Sequence, residues 1–212
     1  MLSDLDAAIL CERSYHEPAT LEAADCHVLL VERDGIVNVA FRGSASLLDW
    51  WVDFSVFNHT SFDHETLGLV HAGFLADALA IVPALTAAIG DKPWMALGHS
   101  KGSGEATLVA ALLSAAGKAP VGLTLFGCPK VTGPWNAALG SLLKDIPALS
   151  FRNGSDPVPM APLGFHDAVP LLQLGTSSEF PVIADHYLTS GYIPALTLRA
   201  ACPSRAADAV VE

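Results

Sequence analysis

The apolar positions of this chain follow two periods in turn, and each change of period marks an element boundary. Residues 3–14 space them as an amphipathic helix does. HVLLVERDGIVNVAF, residues 27–41, holds two β-rich runs around the turn Arg33-Asp34-Gly35, which predicts a hairpin. A short segment with Trp50, Trp51, Phe54 and Phe57 and a polar connection from His59 to Glu65 precede a helix predicted over 70–90. Strands and helices then alternate. The pattern gives a strand over Trp94 to His99, a helix from Lys101 to Ala116 and an apolar strand over Val121 to Phe126. A helix over Trp135 to Leu143, a strand over 148–153, a proline-rich loop, a strand over Val169 to Leu174 and a helix after His186 follow. Such alternation implies parallel pairing, so an α/β fold is expected, with a mostly parallel central sheet, helices on both faces and an N-terminal β-hairpin.

No internal repeat or low-complexity stretch breaks the series, and one domain over residues 1–200 is expected, with 201–212 as a loose tail. The greasiest stretch, Gly68 to Gly90, is interrupted by His71, Asp77 and Pro83, and its spacing suits a buried helix rather than a transmembrane segment. Composition sharpens the picture. With 212 residues, 51% of them apolar, the chain has ample material for a core. A net charge of -11, with only 11 scattered Lys and Arg, argues against nucleic acid as a partner and against anionic membranes, though not against a small apolar contact with a lipid interface. The first residues, MLSDLDAAILCERSY, have aspartates where a signal peptide needs positive charge, so a cytoplasmic location is expected unless a leader has been removed. Cys11, Cys26, Cys128 and Cys202 show no metal-ligand spacing, which predicts reduced structural thiols and no metal site.

Chemistry first shows in ALGHSKGSGEA, residues 96–106. Gly98-His99-Ser100-Lys101-Gly102 fits G-x-S-x-G, between an apolar strand and an alanine-rich helix, the setting of a nucleophile elbow. A β-carbon at either glycine would strike the adjoining strand or helix, and the helix N-terminus favours an oxyanion beside Ser100. Such a serine needs a base. Lys101 is adjacent, but neighbouring residues at this turn direct their side chains apart, so its expected contribution is a backbone N–H to an oxyanion hole. In chain order a triad acid and then a histidine should follow. Asp156, in a Gly/Ser/Pro loop directly after a strand, suits the acid, its competing reading being a turn residue before proline. His186 suits the base, against the alternative of a locally bonded helix-start histidine. His166 reads as a pocket or packing residue, and His99 as a further pocket residue. Glu105, one turn into the helix, is expected to complement its dipole.

FRGSASLLDWWVDF (41–54), VHAGF (70–74), GHSKG (98–102), TLFGCPKVTG (124–133), SDPVPMAP (155–162) and DHYLTSGYI (185–193) together resemble the ordered motifs of the class 3 lipases, fungal-lipase-like α/β-hydrolases. The resemblance implies an α/β-hydrolase fold and ester hydrolysis by Ser100, Asp156 and His186, with Ser44 giving the second oxyanion donor and no cofactor needed. It also implies that the segment after Ser44 is a lid whose Trp50, Trp51 and Phe54 roof an acyl pocket or touch lipid, unless these aromatics simply finish the core. Lys101 departs from the hydrophobic residue that many members carry there. The expected substrate is a lipid or small-molecule ester; a soluble short-chain carboxylesterase, acyl transfer to another alcohol and a non-catalytic binding protein are the rivals.

Overall fold

A computed structural model describes residues 1–44 and 60–201. Helix α1 (Asp4–Arg13) starts at Ser3, whose hydroxyl accepts the Asp6 N–H at 3.1 Å. Strands β1 (Leu21–Ala23), β2 (Cys26–Arg33) and β3 (Ile36–Phe41) follow as an antiparallel meander. Its β2–β3 turn is the predicted one. Asp34 and Gly35 both take positive φ, 53° and 75°, as a two-residue turn with the right twist requires, and Arg33 pairs with Ile36 across it.

After β4 (Ser61–His64), β5 (Gly68–His71) and α2 (Ala72–Ile89), the chain alternates as expected. It runs through β6 (Trp94–His99), α3 (Lys101–Ala115), β7 (Gly122–Phe126), α4 (Ala138–Leu143), β8 (Ala148–Asn153), β9 (Leu171–Leu174) and α5 (Ile193–Ala201). Among the described residues one sheet has the order β1-β2-β3-β6-β7-β8-β9, and every pairing from β3 to β9 is parallel. Helices α2, α3 and α4 pack on one face and α1 and α5 on the other. Strand side chains divide between the two cores with period two: Trp94 and Ala96 of β6 face α2 and α3, while Met95 and Leu97 face α1 and α5.

Helix α2 is apolar and long enough to cross a membrane by composition alone. Here Phe74, Leu75, Ala78, Ile81, Leu85 and Ile89 form one buried stripe, as in a core helix, and Pro83 lies on the exposed side. Three local expectations need correction. The polar connection over 59–65 contains β4, which pairs with β5 from Ser61↔His71 to His64↔Gly68; its side chains are mostly exposed, so no apolar alternation announces it. The helix expected from Trp135 starts at Ala138, because Trp135 has φ 55° and the Asn136 carboxamide accepts the Ala138 N–H at 2.9 Å. Between His186 and α5 the chain makes a wider π-type turn over Leu188–Tyr192. Of the expected tail over 201–212, Ala201 closes α5 and residues 202–212 lie outside the described residues.

Candidate active site

Ser100 joins β6 to α3 with φ 57° and ψ -132°, a conformation that non-glycine residues adopt only under constraint. Both flanking glycines enforce it. A Cβ on Gly98 would lie 2.6 Å from the Cα of Ser103, and one on Gly102 would run into the Phe41 carbonyl of β3. The Ser100 N–H donates to the Phe126 carbonyl at 2.9 Å, and its buried Oγ has no hydrogen-bond partner among the described residues. As the first residue of α3, Lys101 presents an N–H with no intrahelical acceptor.

Asp156 and His186 come from loops beyond the carboxyl ends of β8 and β9. His186 Nδ1 stands 2.9 and 2.8 Å from the two Asp156 carboxylate oxygens, which makes Nδ1 the protonated nitrogen and leaves Nε2 with a free lone pair. Nε2 is buried and unpartnered among the described residues. Asp156 also accepts the Val158 N–H at 2.9 Å and the Tyr192 hydroxyl at 2.6 Å. Burial pushes its carboxyl pKa up, but the imidazole's charge and these hydrogen bonds outweigh that and hold it below the usual 3.8. Burial, and then the Asp156 charge, push the Tyr192 phenol well above its usual range, so Tyr192 remains a donor. Gly127, at φ 58°, passes so close that a Cβ would lie 2.6 Å from His186 Cε1. Ser100 and His186 therefore flank the same Phe126-Gly127 turn. Ser100, Asp156 and His186 are all fully buried.

The amine of Lys101 is turned away from Ser100. Its Nζ lies 2.6 Å from Glu105, 2.9 Å from Asp77 and 3.0 Å from Asp25, and donates to the Asp25 carbonyl at 2.8 Å. Although burial lowers it, the lysine pKa is raised by these carboxylates, so it stays charged. Glu105 is fully buried; burial pushes its pKa up to about 7 despite the opposing charge of Lys101, with the Asp77 carboxylate adding to the rise.

His99 does not fit the pocket role expected of it. It lies on the α1/α5 face, buried, with Nε2 donating to the His186 carbonyl at 2.8 Å and Nδ1 accepting the Tyr15 hydroxyl at 2.7 Å. Tyr15 in turn accepts the Gly43 N–H at 3.0 Å. This chain ties the Gly43-Ser44 segment to His186, and a Cβ on Gly43 would lie 2.8 Å from the Ser100 Cβ. Ser44 is half-buried beside it. His166 is exposed, and its backbone pairs with Thr132. Trp50, Trp51 and Phe54 lie outside the described residues. Among the described residues no cluster of His, Cys, Asp and Glu is arranged to hold a metal ion. Tyr15 and Asn153 lie in none of the quoted motifs, and Asp185 and Tyr192, although within DHYLTSGYI, have no role assigned from the sequence; the contacts of all four arise across the fold.

Burial lowers the His99 pKa from 6.5 to about 3, the neighbouring His186 adding to the effect. The unfolded chain therefore takes up this proton first, and stability falls as pH drops from 6.5 towards 3. Melting curves over that range should show the wild type losing up to about 5 kcal/mol relative to a His99→Asn variant, at ~1.4 kcal/mol per pH unit. Parallel pH profiles would refute the assignment.

The lipase (class 3) family profile matches residues 38–166. Among solved structures, the triacylglyceride lipase of Rhizomucor miehei superposes with a TM-score of 0.72 at 19% identity, over 91% of this chain and 96% of that one. A triacylglycerol lipase described as having a serine protease triad gives 0.66 at 21%, over 78% and 77%. The nonglycosylated lipase of Yarrowia lipolytica gives 0.64 at 18%, over 81% and 78%. No sequence match is found among curated proteins. With more than half its length matched by the family profile and the α/β-hydrolase fold of the fungal lipases, the chain belongs to the class 3 lipases, serine-dependent carboxylic ester hydrolases.

Proposed function

We propose that this protein hydrolyses lipid esters, triacylglycerols among them, with Ser100 as nucleophile, His186 as general base and Asp156 as its orienting acid. The observation that carries this reading is the His186 ring, with Nδ1 bound to a buried carboxylate and Nε2 without a hydrogen bond, at the same Phe126-Gly127 turn that holds Ser100, whose hydroxyl is likewise unpartnered among the described residues. Ser100 attacks the carbonyl as Nε2 takes its proton; Asp156 fixes the tautomer and stabilises the imidazolium; the same proton then goes to the leaving alcohol. Water, activated by His186, cleaves the acyl-enzyme. The N–H groups of Ser44 and Lys101 hold the oxyanion, each worth about 10²- to 10³-fold in rate. Trp50, Trp51 and Phe54 are assigned, on the family resemblance, to roofing the acyl pocket or meeting the lipid surface.

A lipid substrate is favoured over a dissolved short-chain ester by the surface beside Asp156. A cavity of about 360 Å³ there has Met160, Leu163 and Phe180 in its lining alongside the polar Arg152, Ser178 and Glu179, with Leu163 82% and Phe180 75% exposed. Burying such side chains in an interface is worth about 1.5–3 kcal/mol each. Leu163→Asp with Phe180→Asp is expected to lower hydrolysis of emulsified long-chain esters at least about tenfold while a dissolved short-chain ester is turned over as before. Equal losses on both would overturn the lipid assignment. The chemical scheme is tested by a fluorophosphonate, which should label wild type at Ser100 and leave Ser100→Ala unmodified; labelling elsewhere would refute it.

A further inference from the structure

His186 and Asp156 are 30 residues apart, and between them the chain passes through the exposed stretch 175–181. Something must hold the two loops in register for the 2.8 Å contact to persist. A small network around Asp185 does this. Its carboxylate Oδ2 accepts the N–H of Ser155, the residue before Asp156, at 2.8 Å. Its carbonyl, on the peptide leading to His186, accepts the Asn153 side chain at 3.0 Å. The Ser155 carbonyl accepts the Val182 N–H at 3.1 Å. Two glycines make room. Gly154, at φ 51°, would place a Cβ 2.8 Å from the Asp185 Cγ and closer still to its carboxylate oxygen; on Gly191 a Cβ would lie 2.8 Å from the Asp185 carbonyl carbon and 2.9 Å from the Asn153 amide nitrogen.

We propose that Asp185 and Asn153 form a clasp that positions His186 against Asp156, Asp185 holding the loop that carries Asp156 through the Ser155 N–H and Asn153, at the end of β8, holding the backbone before His186. This rests on the triad reading above. Neither side chain touches substrate; both act through the two loops, and Asp185 sits next in chain to the histidine it positions. Loss of the clasp leaves substrate contacts in place but spreads the imidazole over orientations in which Nε2 no longer faces the Ser100 hydroxyl, so kcat falls and KM does not.

The test compares Asp185→Ala, Asp185→Asn, Asn153→Ala and His186→Ala with wild type on one dissolved ester. Asp185→Ala is expected to lower kcat about 10- to 100-fold with KM little changed, as for misplacement of a reacting group by a fraction of an ångström to one ångström. Asp185→Asn keeps an oxygen to accept the Ser155 N–H and should recover most of that loss. Asn153→Ala removes one neutral bond, should cost about tenfold, and decides the matter should Asp185→Ala fail to fold. Wild-type kcat in both alanine variants, or an Asp185→Asn loss as deep as that of Asp185→Ala, would overturn the clasp. His186→Ala separates the two failures: if it keeps turnover, the triad reading itself falls, whereas an inactive His186→Ala beside an unimpaired Asp185→Ala removes only the clasp.

Discussion

Ser100→Ala is expected to lower kcat for ester hydrolysis by about 10⁴- to 10⁶-fold, leaving only the acceleration due to binding and oxyanion stabilisation. His186→Ala should fall to a similar floor. The double variant should be no worse than either single one, because the nucleophile and base act as a unit and their losses do not add. Folding should be unaffected by the serine change: the Ser100 hydroxyl makes no hydrogen bond among the described residues, and alanine keeps the Cβ that the elbow already tolerates at φ 57°. Initial rates and melting temperatures measured on the same samples check both halves. Turnover within about tenfold of wild type would sink the scheme, since no triad enzyme retains so much without its nucleophile.

Lys101→Met carries the largest expected cost in stability, about 3–5 kcal/mol at pH 8, because it strands Glu105 as an unpaired charge in the core. Glu105 is pushed up to about 7 even with the lysine present, against an ordinary 4.5. Removing the lysine raises the folded-state pKa still further, so the cost of the substitution should shrink as pH falls towards 7 and level off below it, where the carboxyl is neutral with or without the lysine. Denaturant titrations at pH 8 and pH 5.5 measure the difference. Adding Glu105→Leu should restore most of the lost stability, since an apolar pair of similar volume often replaces a buried ion pair at little cost. A cost that did not depend on pH would show that the glutamate is not the destabilised group.

Much of the architecture is legible in the residue pattern. The hairpin turn was readable from Asp34-Gly35, β6 and β7 from unbroken apolar runs, and the elbow from glycines on both sides of Ser100, which the observed close approaches to Phe41 and Ser103 explain. Chain order together with the loop setting of each residue singles out Asp156 and His186, which the fold brings to 2.8 Å. Two errors of reading have physical causes. His99 is expected to line the pocket, yet strand parity sets it on the side of Met95 and Leu97, away from α3. Strand β4 is nearly all exposed, so its pairing with β5 leaves no period-two signal. Tyr15 reaches His99 across 84 residues and Tyr192 reaches Asp156 across 36, separations at which no local pattern carries information. The destination of the Lys101 amine is of the same kind: its carboxylate partners Asp25 and Asp77 belong to other elements.

The sheet is terminated on one side by the three residues of β1 and on the other by the four of β9. A backbone ladder this short presents few open amides and carbonyls for a second molecule to continue, and its two ends cannot propagate a long, regular stack. Among the described residues, growth of this sheet into edge-to-edge aggregates is thus disfavoured by the brevity of its outermost strands, and the apolar strands β6 and β7 lie inside the sheet with a neighbour paired on either side.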